Sequence, residues 1–399
     1  MKIIGIVSEY NPFHKGHKYQ IDKSLELTNA DGVIAIMSGN FVQRGLPAFL
    51  DKWTRAEMAL QSGVNLVLEL PTFYATASAE DFAKGAISLL NATGVVTHLS
   101  FGSEVDSLDE ITKIATLLAN EPMAYKNLLK NQLQIGHSFA KARNIAINQH
   151  MGTDINLNQP NMILGIEYLK HLIRLNSKIS PLLIKRVGSA YHDTNLYHDI
   201  SSASAIREKY FDPTVDFNFK NHLPPQAVKV IENTPYMPVN IETFENQIFS
   251  LLRRLTPIEL RQYREVTEGL ENKIVNVINQ TTTYSDLINA LKSKRYAETK
   301  LNRMLLNIFL GIKPFDCNLE KFGYLRLLGM DSIGQKIVKN MKSSASLPII
   351  TNLNRMEKSL KTNPLIELDV RASNLYALGQ NSQILKRGGR DYLEQIIRV

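Results

Sequence analysis

The segment KIIGIVSEYNPFHKGH, residues 2–17, decides the fold prediction for this chain. Residues 1–7 are apolar enough to form a buried parallel strand, and the Asn-Pro pair that follows predicts a turn. A helix is predicted to begin near Gly16, so this turn leads into a helix N-terminus. Free backbone N–H groups and the positive end of the helix dipole favour a phosphate there, and the imidazoles of His14 and His17 can donate to its oxygens.

A second segment that could bind a phosphate lies far downstream, where residues 200–207 read ISSASAIR. Ser201 and Ser202 can cap a helix that begins at the next residue, and Arg207 offers a planar guanidinium to a phosphate. Each segment alone has an ordinary alternative: a surface turn for His-x-Gly-His, and a helix cap with a solvated arginine for the serine-rich segment. The presence of both in one chain favours a nucleotide site.

The first half of the chain alternates apolar runs with amphipathic segments. Strands are predicted at residues 1–7, 32–37, 66–70 and 96–100, and helices at 52–61 and 80–91, with Asp51 and the residues around Ser78 as N-caps. This alternation is typical of an α/β protein with a doubly wound parallel sheet. Because ligands of such sheets bind at the carboxyl ends of the strands, the functional residues are expected in the loops that follow them, at 8–17, 38–47, 71–78 and 101–104.

Further residues are candidates for the same site. Gly102 follows a predicted strand, where it either lets a ligand approach the backbone or forms an ordinary turn. Asn161 stands at the start of a predicted helix, as a site residue or as the commoner N-cap. A short apolar strand at 182–184 leads to Arg186, a candidate clamp for a phosphate or carboxylate. The loop at 38–40 and Arg44 could face a second substrate.

The composition excludes several classes of protein. Cys317 is the single cysteine among 399 residues, which excludes a disulfide framework and a cysteine-based zinc site and indicates a reducing compartment. The sequence contains no run of about 18 apolar residues that could cross a membrane. The first residues include one lysine and no small-residue cleavage site, so we expect no cleavable leader. The phosphate-binding pattern GxxxxGK(S/T) and the dinucleotide pattern GxGxxG are both absent. We therefore expect a cytoplasmic protein without a membrane partner.

Positive charge is concentrated in the second half of the chain. Residues 1–200 contain 18 Lys and Arg and 18 Asp and Glu, so the net charge of +8 falls on residues 201–399. Two basic clusters, each with a neighbouring tyrosine, stand out there: Lys292, Lys294, Arg295 and Lys300 with Tyr296, and Lys386, Arg387 and Arg390 with Tyr392. Such clusters suit an RNA backbone, whereas each alone is more typical of a solvated helix face. RNA, and not DNA, is the expected partner.

The second half is predicted to be mainly helical. Helices are predicted at 242–255, 284–291 and 297–309, and short strands at 324–327 and 347–351. Proline-rich connectors favour a boundary between residues 210 and 240. We therefore predict two parts: a nucleotide-binding catalytic domain at 1–210 and a basic, mainly helical RNA-binding region at 211–399.

Five segments in a fixed order resemble one known family. EYNPFHKGH, FGSE, PNMILGIEYLK, KRVGSAYHD and ISSASAIR are similar to the bacterial tRNA(Met) cytidine acetate ligases, which belong to the HIGH-type nucleotidyltransferase superfamily. The resemblance is most specific at residues 3–104 and 159–207. It implies a doubly wound sheet of HIGH type and an ATP-dependent ligase that forms acetyl-AMP and acetylates the wobble cytidine of elongator tRNA(Met) to 4-acetylcytidine.

The resemblance also implies the residues of the site. Its catalytic residues would be His14, His17 and Arg186. ATP would be bound by the loop and helix start from Val7 to Gln20 together with residues further along the chain: Val7, Ser8, Glu9, Tyr10, Asn11, Pro12, Phe13, His14, Lys15, Gly16, His17, Lys18, Tyr19, Gln20, Gly102, Asn161, Arg186, Ser201, Ser202 and Arg207. Mg²⁺ would bridge the ATP phosphates with few protein ligands and no dedicated set of metal-ligating residues.

Two other functions share some of these features. A small-molecule adenylyltransferase or carboxylate-activating ligase would use the same ATP site without an RNA. That function does not explain the positive charge of the second half. A non-catalytic RNA-binding protein with a relic nucleotide pocket leaves both ATP motifs intact without a reason. The RNA acetate ligase accounts for both halves of the chain.

Overall fold

A computed structural model describes residues 1–399 except 105, 158, 187–200, 268, 294–295, 316 and 358–359. Its centre is an eight-stranded sheet in the order β10-β8-β5-β2-β1-β6-β7, with β9 paired to β8. The sheet strands are β1 Ile3–Ser8, β2 Gly32–Ser38, β5 Leu66–Leu70, β6 His98–Ser103, β7 Ser180–Lys185, β8 Leu325–Met330, β9 Ile349–Ile350 and β10 Ile397–Arg398, and a small hairpin consists of β3 Phe41–Val42 and β4 Leu46–Pro47.

Helices connect these strands and form most of the second half. In the first half they are α1 Lys15–Thr28, α2 Lys52–Gln61, α3 Thr72–Ala75, α4 Ala79–Ala92, α5 Leu108–Asn120, α6 Met123–Gln134, α7 Phe139–Met151 and α8 Pro160–Arg174. In the second half they are α9 Ala203–Phe211, α10 Pro225–Asn233, α11 Glu245–Leu252, α12 Pro257–Leu260, α13 Leu270–Ile278, α14 Tyr284–Leu291, α15 Glu298–Leu310, α16 Leu319–Phe322, α17 Ser332–Ser344, α18 Pro364–Ala377 and α19 Arg390–Leu393. None of the helices in the described part of the chain combines the length and the apolar character needed to cross a bilayer.

Local sequence signals account for the helix boundaries in the first half. The side chain of Asp51 accepts hydrogen bonds from the backbone of Trp53 and Thr54 and caps α2, whose bounds agree with the prediction. Ser78 caps α4 by accepting from the Asp81 N–H, with two acidic residues in the first turn. The predicted strands are also present, each shifted by at most a few residues.

The sheet buries apolar side chains on both faces, as a doubly wound sheet does. Along β2, Ile34 and Ile36 lie in one buried cluster with the helix α4, whereas Val33 and Ala35 lie in the other with α1 and α2. This alternation follows from the two-residue period of a strand. The predicted fold class, an α/β doubly wound sheet, is confirmed, with a mainly helical second part.

The sheet also contains strands from the second half of the chain. β8 pairs antiparallel with β5, and Leu66 lies opposite Met330. The last strand, β10, pairs parallel with β8 through Ile397 and Gly329. The sequence predicted a strand near 324–327 but did not predict that it pairs with strands of the first half. The central sheet therefore contains strands from both sides of residue 210. The division of the chain into two functional domains stays a prediction.

Four buried charged residues join this edge of the sheet to the C-terminal segment. The ammonium of Lys52 in α2 lies 2.7 Å from Glu69 Oε1 in β5 and 2.7 Å from Asp391 Oδ1 in α19. Arg326 in β8 lies 3.0 Å from Glu69 Oε2 and also contacts Asp391. All four side chains are at most 7% exposed. We call these four residues the charge cluster.

Candidate active site

The two histidines form the N-terminal cap of α1. His14 is the N-cap residue, and its Nδ1 accepts a hydrogen bond of 3.0 Å from the Gly16 N–H. His17 Nδ1 accepts in turn from the His14 N–H at 3.1 Å. The two rings stack with 3.8 Å between their centroids. Both Nδ1 atoms are acceptors, so a neutral ring carries its proton on Nε2, where it can donate to a ligand.

Burial keeps both imidazoles neutral. It lowers the pKa of His14 to about 3, with a further contribution from the positive charges of Arg186 and Arg207. The pKa of His17 is also well below its ordinary value, because of burial first and then because of His14 and Arg186. The structure therefore gives them the role of neutral N–H donors and leaves the positive charge to the arginines.

The depressed pKa of His14 predicts a pH-dependent stability. An unfolded imidazole takes up a proton below pH 6.5, whereas the folded one does so only near pH 3, so stability falls as the pH falls below 6.5. Between pH 7 and pH 5, the free energy of unfolding of the wild type should fall by about 2 kcal/mol more than that of His14→Asn. Asparagine can still cap the helix. Urea unfolding at the two pH values measures this difference, and equal drops would contradict the assigned burial.

Arg186 lies across the carboxyl ends of β6 and β7. The register pairs Gly102 with Ile184 and Ser103 with Lys185, so the next residue leaves the sheet beside Gly102. A Cβ on Gly102 would lie 3.2 Å from Cγ of Arg186. The absence of a side chain at Gly102 therefore gives room to the arginine. The approach of a ligand to the Gly102 backbone stays a prediction.

The serine-rich segment packs against the turn before α1. Ser202 caps α9 by accepting from the Ala205 N–H at 3.2 Å, as predicted. The Arg207 guanidinium donates to the carbonyl of Asn11, and burial lowers its pKa. Arg207 is therefore neither freely solvated nor turned outward, because it holds the turn that carries the histidines.

A cavity of 650 Å³ lies between the two helix N-termini. It is lined from α1 by His14, Gly16, His17, Tyr19 and Gln20, from β6, β7 and the residues after them by Gly102, Glu104, Ile184, Lys185 and Arg186, and from the serine-rich segment and α9 by Ser201, Ser202, Ala205 and Lys209. Two helix N-termini, neutral N–H donors and several cations suit an anion of high charge. We call this space the nucleotide cavity.

A second cavity of 510 Å³ adjoins the first. Arg44, which the sequence placed toward a second substrate, lines it, whereas residues 38–40 are not among its lining residues. His17, Gln20, Gly102 and Arg186 line both spaces. The remaining lining residues are Val7, Ser8, Glu9, Tyr10, Asn11, Gln43, Arg44, Ala79, Phe82, Phe101, Pro160, Asn161, Ile163, Leu164, Tyr168, Ala203 and Thr299. Both volumes are within the range of small-molecule sites, about 300–1,000 Å³. We call this space the acceptor cavity.

The predicted ATP loop is thus divided between two spaces. Val7 to Asn11 line the acceptor cavity, whereas the histidines and Gly16 line the nucleotide cavity. Pro12, Phe13, Lys15 and Lys18 line neither of them; Phe13 is fully buried and Lys18 pairs with Asp22. Asn161 lines the acceptor cavity and donates to Glu104, and the N-cap of α8 is Gln159 instead.

Arg55 is a positioning residue that sequence reasoning missed. Its guanidinium is fully buried and donates to the backbone carbonyls of Glu9, Ser38, Gly39 and Leu50. Glu9 and Gly39 directly follow β1 and β2, Ser38 is the last residue of β2, and Leu50 precedes α2. One side chain therefore holds the ends of β1 and β2 to the start of α2 at the carboxyl edge of the sheet. An arginine within an amphipathic helix carries no sequence signal for such a role.

The structure separates the members of the predicted basic clusters. Lys386 and Arg387 are exposed, but Arg390 stacks on Trp53 and Tyr236 and pairs with Asp51, so its place in an RNA-binding cluster was wrong. Contacts with residues distant in sequence leave the Arg390 side chain only 15% exposed. In the other cluster, Lys292 is partly exposed beside Glu298 and Lys300 lies over the Tyr296 ring. Lys294 and Arg295 lie outside the described residues, as does the segment 187–193 of the quoted motifs.

The fold and the site define a nucleotidyltransferase of the HIGH type. A family model described as HIGH Nucleotidyl Transferase matches residues 1–391. The sheet, the capping histidines and the adjoining cavities all lie within that range.

Individual relatives narrow the assignment. The tRNA(Met) cytidine acetate ligase of Clostridium perfringens (strain SM101 / Type A) is 41% identical over 390 residues, which cover 94% of this chain and 95% of the relative. The enzyme of the same name from Thermoanaerobacter sp. (strain X514) is 40% identical over 407 residues and covers both chains fully. The crystal structure of Thermotoga maritima TmcAL bound with alpha-thio ATP covers both chains fully, with a TM-score of 0.92 and 34% identity. The chain belongs to the HIGH nucleotidyl transferase family, among its tRNA(Met) cytidine acetate ligases, and the resemblance found in the sequence is confirmed.

Proposed function

We propose that this protein is an ATP-dependent ligase that activates acetate as acetyl-AMP and acetylates the wobble cytidine of elongator tRNA(Met), which yields 4-acetylcytidine. The observation that carries this proposal is the pair of adjoining cavities joined at His17 and Arg186. One cavity suits a triphosphate, and the other offers room for an acceptor. Relatives that match 94% and 100% of the chain are named tRNA(Met) cytidine acetate ligase, which supports the proposal.

The first step is an attack of an acetate oxygen on the α-phosphorus of ATP. A carbon-bound oxygen joins phosphorus, the bond to the bridging oxygen breaks, and pyrophosphate leaves. Such a reaction needs the reactants held in line and the growing negative charge stabilised. The Nε2–H groups of His14 and His17 and the guanidinium of Arg186 would stabilise that charge. Ser201, Ser202 and the N-terminus of α9 would hold the departing pyrophosphate.

Magnesium fits the nucleotide cavity as an ion held mainly by phosphates and water. Glu104 supplies the carboxylate among the described residues that line this cavity, and it already accepts from Asn161. Bound to the phosphates, the ion would neutralise part of their charge.

The basic second half supports an RNA acceptor over a small molecule. The net charge of +8 arises within residues 201–399, where Lys386 and Arg387 are exposed and Lys292 is partly so. A polyanion such as tRNA would bind there with a strong dependence on salt. With a tRNA substrate, we expect the reaction to take place in the cytoplasm, with no DNA and no membrane as partner.

A labelling experiment tests the proposal. The purified protein is incubated with ATP, radiolabelled acetate and total bacterial tRNA, and the tRNA species are then separated. We expect label in elongator tRNA(Met), present as 4-acetylcytidine after digestion, and none without ATP. Label in a small molecule with none in RNA would favour the small-molecule ligase, and the absence of acetate-dependent pyrophosphate release would overturn the proposal.

A further inference from the structure

Three aromatic side chains line the acceptor cavity. Phe82, Phe101 and Tyr168 are each at most 5% exposed. The rings of Phe101 and Tyr168 meet edge to face, with 6.3 Å between their centroids. Aromatic side chains favour a planar ring as ligand, because base–aromatic stacking does not depend on matched hydrogen bonds. The lining and the volume of 510 Å³ therefore suit a nucleobase.

Two polar groups in this cavity are available to a ligand. The Tyr168 hydroxyl makes no hydrogen bond within the part of the chain that the structure describes, although the residue is only 5% exposed. Burial and the neighbouring charge of Glu9 raise the pKa of this hydroxyl, so it stays protonated and can donate. Glu9 is the acidic residue of the cavity lining.

Glu9 is held in place by one of its two carboxylate oxygens. Oε1 accepts from the Gln43 N–H at 3.0 Å, and the backbone carbonyl of Glu9 accepts from Arg55. Oε2 makes no hydrogen bond or ion pair with another described residue. An oriented carboxylate with one oxygen to spare is a suitable partner for an amino group, and carboxylates accept from the exocyclic amine of cytosine in nucleic-acid recognition.

We propose that the acceptor cavity takes the cytosine base of the RNA and that Glu9 accepts the proton of its exocyclic amine during acetyl transfer. This inference rests on the proposed function. The amine nitrogen forms a bond to the acetyl carbon, the bond from that carbon to the AMP oxygen breaks, and AMP leaves with the electron pair. One amine proton passes to Glu9 Oε2, so atoms and charges balance. The Tyr168 hydroxyl is placed to donate to an acceptor atom of the base.

The mouth of the acceptor cavity lies next to basic residues. Arg44 is exposed on its rim, and Thr299 in α15 lines it directly beside Lys300 in the chain. The loop that carries Arg44 packs on α15, since a Cβ on Gly45 would lie 2.3 Å from the Arg303 backbone nitrogen. A base that enters this cavity therefore leaves its own phosphates near Arg44 and Lys300, as a base flipped out of an anticodon would.

The test compares two half-reactions in Glu9→Gln. Acetate-dependent exchange of pyrophosphate into ATP reports activation, and single-turnover acetylation of tRNA from preformed acetyl-AMP reports transfer. Glutamine keeps an oxygen for the Gln43 N–H but cannot take up the proton. We expect the rate of transfer to fall about 100-fold more than the rate of exchange. Equal losses in both half-reactions, or no loss in either, would overturn the role of Glu9.

Two further variants make the result interpretable. Glu208→Gln changes an exposed carboxylate that lies outside both cavity linings, and its ratio of transfer to exchange should equal that of the wild type. Tyr168→Phe removes one hydroxyl and keeps the wall, so it should raise the KM for tRNA several-fold more than the KM for ATP; an unchanged KM for tRNA would count against the cavity as the base site. A wild-type protein that activates acetate but never labels RNA would overturn the proposed function, and this inference with it.

Discussion

His17→Asn is expected to slow acetate-dependent release of pyrophosphate from ATP by roughly 10²–10³-fold, the usual cost of removing one donor that stabilises charge in a transition state. The asparagine oxygen can occupy the position of Nδ1 and accept from the His14 N–H, so the cap of α1 is preserved. The Nε2–H donor is lost. Pyrophosphate release measured with saturating ATP and acetate gives the effect, and tRNA binding should be nearly unchanged.

His17→Gln is the matched control. A glutamine amide can place an N–H near the position of Nε2, and glutamine at the third position of a helix can accept from the N-cap N–H, so the cap of α1 is preserved as well. If the donor matters, His17→Gln retains more activity than His17→Asn. Equal losses in the two variants would contradict the donor role, and wild-type rates in both would remove His17 from the reaction.

The charge cluster predicts the largest effect on stability. In Lys52→Met, the carboxylates of Glu69 and Asp391 stay buried with Arg326 as the single cation, so one negative charge in the core has no partner. Breaking a buried ion pair in this way costs about 3–5 kcal/mol. The free energy of unfolding in urea measures the loss. A loss below about 1 kcal/mol would contradict the burial of this cluster.

A double variant separates charge from packing in the same cluster. Lys52→Met combined with Asp391→Asn removes one charge of each sign and leaves Arg326 paired with Glu69 at 3.0 Å. We expect it to be more stable than Lys52→Met alone, since no buried charge is left over. A double variant that is less stable than the single one would show that the contacts of the cluster matter more than its charge balance.

The turn before α1 and the helix caps could be predicted because their signals are local. The strand, the Asn-Pro turn and the capping histidines follow each other within residues 2–17, and Ser202 caps α9 three residues before its bonding partner. Helix caps and strand periods depend on neighbours in sequence, which is why α2 agrees with its prediction to the residue.

The remaining features depend on contacts between distant parts of the chain. Arg390 carries the same sequence signal as Lys386, yet Trp53 and Tyr236 enclose it. The acceptor cavity gathers residues from the loops after β1 and β3 and from α4, β6, α8 and α15, so no single segment indicates it. Its carboxylate, Glu9, was predicted as part of an ATP loop, because the sequence does not show that this loop divides between two spaces.

The pairing of β5 with β8 has a consequence for how the protein is made. β5 is wholly apolar apart from Glu69, and β8, which covers one of its edges, begins only at residue 325. A ribosome therefore synthesises most of the chain while that edge has no intramolecular partner. Bare strand edges recruit other strands. The unfinished polypeptide can therefore associate with other chains through this edge. A chain terminated before residue 325 would lack β8, so the edge of β5 would stay unpaired.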